Sequence, residues 1–120
     1  MKVFLDDERD PREWLPDMGW WRGRDPSDLD EWVWAKTALE AVAFLEAGGV
    51  TEVSLDHDLG EREDVGDGYD VLLWLEERVA TDDAYQPPAI YIHTSNISAR
   101  DRMESAVKGI ESLLARRSQS

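Results

Sequence analysis

Apolar residues fall along the chain in two rhythms: short unbroken runs of four or five, and longer stretches with an apolar residue every third or fourth position. "KVFL" at residues 2 to 5 is a short run that breaks at Asp6-Asp7. "EWVWA" (31–35) and "TEVSL" (51–55) are two more, and "AIYI" (89–92) follows the punctuation of Pro87-Pro88. Runs of this length, bounded by turn-forming residues, predict strands. Helical spacings lie between them. Ala38, Ala41, Val42 and Leu45 share one face of a helix opened by the capping pair Thr37 and Glu40 and closed at Gly48-Gly49. "YDVLLWLEERVA" repeats its apolar positions at Leu72, Leu75 and Val79. Met103, Ala106, Val107, Ile110, Leu113 and Leu114 give the cleanest one-face pattern, in a helix that Asn96 or Ser98 can cap. Strands alternating with helices predict an α/β domain: an open parallel sheet of four strands, a fifth left open, with helices on both faces.

Residues 10 to 31 break the rhythm. Three prolines fall in this stretch, and four of the six tryptophans lie in or beside it. Parallel strands need a crossover of a dozen residues or more, so this segment is expected to be an ordered connection with a short helix near "PREWL". The tryptophans are expected to pack it onto the body, with an aromatic binding wall as the alternative.

Composition narrows the function classes. At 120 residues one domain is expected. There are no cysteines, which excludes disulfides and thiolate metal sites and fits a cytoplasmic protein. No apolar run approaches membrane-spanning length, and an N-terminus that turns acidic at once argues against a secretory signal. Twenty-seven acids against 13 bases give a net charge of −14, which would repel a long nucleic acid but suits a divalent cation or a small anionic substrate bound locally.

In open parallel sheets, ligands bind beyond the carboxyl ends of the strands. Those ends hold Asp6, Asp7, Glu8 and Arg9 after the first strand, and Asp56, His57 and Asp58 after the third. His93, Thr94, Ser95 and Asn96 follow the fourth, so both histidines of the protein lie at strand ends. Asp6, Asp7 and Asp56 would place three carboxylates at one crevice, unfavourable unless a cation offsets them; an oxygen donor set suits Mg²⁺ or a similar hard ion such as Mn²⁺. Two imidazoles can divide labour as general base and general acid. Opening a phosphodiester needs that pairing, with His57 and His93 moving protons and Asp58 orienting a ring. Arg9, Thr94, Ser95 and Asn96, with the positive end of the last helix, would bind the phosphate.

Read together, "FLDDERDP", "LDHDLG" with the following "GDGYD", and "IHTSN" resemble the cyclic-phosphate processing receiver-like domains, relatives of two-component receivers. The resemblance covers nearly the whole chain and implies a flavodoxin-like sheet of order 2-1-3-4. It implies that Asp6 and Asp7 are the acidic pair that holds Mg²⁺, that Asp56 is the aspartate which accepts a phosphoryl group in true receivers, and that Thr94 or Ser95 is the hydroxyl residue of the fourth strand. Two features depart from signalling receivers. No fifth strand with its lysine is visible after residue 96, and histidines stand at positions 57 and 93. The implied activity is hydrolysis of a small cyclic phosphate on an RNA end or an NAD-derived metabolite. Two other readings stay open: a signalling domain phosphorylated on Asp56, and a non-catalytic acidic interaction module.

Overall fold

Four strands form the sheet seen in the computed structural model, which describes residues 1–56, 67–94 and 96–119. They are β1 (Lys2–Leu5), β2 (Trp32–Ala35), β3 (Glu52–Leu55) and β4 (Ala89–Ile92), all parallel and ordered β2-β1-β3-β4. The order and the α/β alternation are those expected from the sequence. Among the described residues no fifth strand follows β4. No helix among them is long and apolar enough to cross a membrane.

Side chains alternate across a pleated sheet, so each strand sends residues to both faces. Val3, Leu5, Val53 and Leu55 point to one face, where α2 (Ala38–Ala47), α3 (Gly68–Thr81) and α4 (Ile97–Gln119) cover them with Ala41, Leu45, Leu72, Leu75, Met103 and Ile110. Leu72, Leu75 and Val79, picked out by spacing, are buried as the helical period requires. Caps set the helix starts. The Thr37 hydroxyl accepts from Glu40 N, the Asp67 and Asp70 carboxylates form a reciprocal box, and Asn96 Oδ1 accepts from Ala99 N. Gly48, at φ +87°, ends α2 in a conformation that glycine adopts without strain.

The opposite face belongs to the irregular segment. Phe4, on β1, packs with Leu15, Trp21 and Trp32 in a second, aromatic core. Helical cover is therefore present on both faces but unequal: three long helices on one, and on the other the short α1 (Pro11–Trp14) with three 3₁₀ turns at Leu15–Asp17, Gly19–Trp21 and Pro26–Glu31. Asp10 caps α1 and Asp25 caps the last turn, each followed by a proline whose fixed φ suits a helical start.

Candidate functional site

Register fixes the site. Leu5, Leu55 and Ile92 are neighbours in the last row of the sheet, and the ladder continues one step further: Asp6 N donates to Ala35 O, Asp56 N to Leu5 O and His93 N to Leu55 O. Asp6, Asp56 and His93 thus form a single row just past the strand ends. Each stands two residues after Phe4, Ser54 or Tyr91, a row of its own, so the pleat sends all three to the aromatic face. One candidate ligand atom from each of the three lies within 4.8 Å of the other two.

All three are buried. Asp6 Oδ1 accepts from Glu8 N and Arg9 N, each at 2.9 Å, which turns the chain sharply after β1. Trp34 Nε1 donates to the Asp6 carbonyl at 2.7 Å and fixes the same turn from β2. The His93 ring stacks on Phe4, with centroids 4.3 Å apart and planes 4° from parallel, while its Nδ1 shares a 2.7 Å hydrogen bond with the Ser54 hydroxyl. The rest of the ring faces Asp6: His93 Nε2 and Asp6 Oδ2 are 3.3 Å apart but not aligned as a hydrogen bond, and both are buried with no hydrogen-bond partner. Gly68 opens α3 against the base of the site. A Cβ there would come within 2.2 Å of the Asp56 carbonyl oxygen, so only glycine allows this approach.

The electrostatics follow from that burial. Burial alone would raise the Asp6 carboxyl, but the His93 ring and the two backbone N–H groups outweigh it and hold Asp6 below the ordinary carboxylate value. Burial lowers the His93 imidazole further than neighbouring Asp6 raises it. The carboxylate thus faces the imidazole across a 3.3 Å gap that no hydrogen bond closes. Carboxylate oxygens and a ring nitrogen are a donor set for a divalent cation, and Asp6 Oδ2 and His93 Nε2, buried without a hydrogen bond, fit that use, with the Arg9 guanidinium 3.9 Å from Asp6 Oδ2.

A cleft of about 280 Å³ opens beside His93, lined by Arg9, Trp14, Asp17, Met18, His93, Thr94 and Arg100. Arg9 and Thr94 are two of the residues singled out from the sequence. Asn96 instead caps α4, and its own N–H donates to Thr94 Oγ1. Asp7 is half-buried and stands outside the three-residue cluster, one residue past the row in the turn after β1. His57, Asp58 and Ser95 lie outside the described residues. Arg100, Trp14 and Met18 were not singled out from the sequence. Arg100 had one signal: a cation four residues after the cap of α4, near the positive end of a helix, is unfavourable without an anion to meet it.

A larger hollow, about 390 Å³ between Val79, Leu113 and Arg116, lies far along α3 and α4. Arg117 there donates to the carbonyls of Val79, Asp82 and Tyr85, which closes the end of α3. Those bonds make it a structural crevice.

No curated protein matches the chain. The model of the cyclic-phosphate processing receiver domain matches residues 1–109, which include all four strands and every site residue named above. With its receiver-type sheet and its acids and histidine at the strand ends, the chain belongs to the cyclic-phosphate processing receiver domain family.

Proposed function

We propose that this domain hydrolyses a small cyclic phosphate, with a divalent cation held by Asp6, Asp56 and His93. The observation that carries the reading is the pair of buried atoms Asp6 Oδ2 and His93 Nε2, which face each other without a hydrogen bond in one cluster with Asp56. An imidazole in the donor set favours Mn²⁺ over Mg²⁺, which prefers oxygen alone. When bound, such a cation supplies Lewis-acid polarisation of a phosphoryl group. His93 thereby moves from the acid–base role suggested by the sequence to that of a ligand. His57, the other imidazole and the residue next to Asp56 in the chain, is assigned the proton transfers.

The remaining work falls to the cleft. Arg9 and Arg100 offset charge on the non-bridging phosphoryl oxygens, and the Thr94 hydroxyl orients them. Water adds to phosphorus, one ester P–O bond of the ring breaks, and the leaving alkoxide takes a proton, giving a linear phosphate monoester. Adenosine 2′,3′-cyclic monophosphate incubated with Mn²⁺ should be opened to the linear monophosphate. Asp56→Asn and His93→Ala should each lower the rate by about 10²-fold or more. Turnover unchanged in both variants would sink the assignment. Labelling of Asp56 by acetyl phosphate, without turnover, would favour the signalling reading, which the position of Asp56 at the end of β3 also suits.

A further inference from the structure

Five of the six tryptophans are engaged in packing. Trp20 stacks on Tyr91 at 4.0 Å, Trp21 and Trp32 are buried with Phe4, Trp34 holds the Asp6 carbonyl, and Trp74 meets the Tyr85 ring edge-on. Trp14 is 41% exposed, and it lines the cleft beside His93. A large exposed indole is unfavourable in water unless something covers it.

The ring is held in place as well as exposed. It ends α1, a single turn anchored by buried Pro11 on one side and by fully buried Leu15 on the other. The Arg9 guanidinium lies 4.6 Å from the ring centroid with its Nε 3.9 Å from Asp6 Oδ2, and Arg9 N is tied to Asp6 Oδ1. Met18, half-buried, extends the apolar wall. Across the cleft, Arg100 donates through Nη2 to the Ile92 carbonyl at 3.3 Å, and its Nη1 is 3.7 Å from Glu104. A guanidinium has five N–H donors, so these contacts orient it and leave donors for an anion. Among the described residues that line the cleft Asp17 is the one carboxylate, against two guanidiniums.

The cleft therefore has an anion end and an aromatic end. We propose that its ligand is a nucleoside phosphate: the phosphate between Arg9 and Arg100, and the base against Trp14 and Met18. This rests on the phosphate chemistry proposed above and narrows its substrate to molecules carrying a base. A sugar phosphate would leave the indole uncovered. A cleft of about 280 Å³ is at the small end of ligand sites, which fits one nucleotide, and the net charge of −14 disfavours a longer strand.

Calorimetric titrations of the full chain in EDTA, with adenosine 5′-monophosphate and with ribose 5-phosphate, test this without metal or turnover. The nucleotide should bind about tenfold more tightly, the worth of one base–aromatic stack. Trp14→Ala should erase that difference and spare ribose 5-phosphate, whereas Trp14→Phe should keep most of it. Arg100→Gln should weaken both ligands by about tenfold. Equal affinities in the parent, or a preference untouched by Trp14→Ala, would overturn the proposal even if cyclic phosphate were hydrolysed. Conversely, failure of hydrolysis with the preference intact would overturn only the catalytic reading.

Discussion

Ser54 shows how much one small residue can decide. It is fully buried in β3, in the row before the site, and its hydroxyl is the partner of His93 Nδ1. An imidazole ligates through whichever nitrogen is unprotonated, and the hydrogen bond at the other nitrogen sets which one that is. Ser54 can accept from Nδ1–H, which leaves the Nε2 lone pair facing Asp6. Ser54→Ala removes this control and strands a buried ring nitrogen. It is expected to cost about 1–3 kcal/mol in chemical denaturation, and to weaken Mn²⁺ binding by about 10–100-fold in a calorimetric titration. Unchanged affinity would mean that Ser54 does no more than fill space. The sequence placed Ser54 at the end of a strand but gave no hint of its partner 39 residues away.

At the level of elements, the two faces of the sheet were legible to different degrees. Strand limits at 2–5 and 89–92 agree with the apolar runs, and the helical face follows from a period that burial imposes on any long helix. The 10–31 segment has no such period, because its turns are held by caps, prolines and aromatic contacts that local pattern does not reveal. Its attachment to the sheet is ionic as well. Arg24 and Lys2 both reach Glu52, at 2.8 and 2.9 Å, and Arg24 also pairs with Asp28. Tyr91 donates to the same Glu52 carboxylate. Arg24 above all, with Lys2 and Tyr91, holds the Glu52 carboxyl at about 2 despite its burial. A carboxyl whose pKa falls on folding stabilises the native state above its unfolded value, here 4.5, and that contribution fades as pH drops toward 2. Discounted for partial exposure, it is on the order of 2 kcal/mol. Glu52→Gln should therefore lower the melting midpoint by about 8 °C at pH 7, and the gap should close as both proteins are titrated from pH 4.5 to 2. A constant gap across that range would show that the loss is one of packing.

For the whole molecule, the site joins three strands through groups that repel or desolvate one another. Two buried carboxylates and an imidazole meet there in a chain of net charge −14, a donor set that suits a cation. The cluster was half legible in the sequence. Asp6, Asp56 and His93 all lie at strand ends, yet only the register shows that they form one row and that Asp7 falls outside it. Metal binding to that row is binding to the folded state alone, so it should appear as stability. At a free Mn²⁺ concentration of about 100 Kd the gain is about 2.7 kcal/mol, or about 10 °C in melting midpoint for a chain of this length. Asp6→Asn separates the ion from the fold. An asparagine Oδ1 can still accept from Glu8 N and Arg9 N, so the turn after β1 survives, while the charge facing His93 is gone. The variant should melt within a few degrees of the metal-free parent and show no rise with Mn²⁺. If the parent midpoint does not move, or the variant rises equally, the ion is not held by this row.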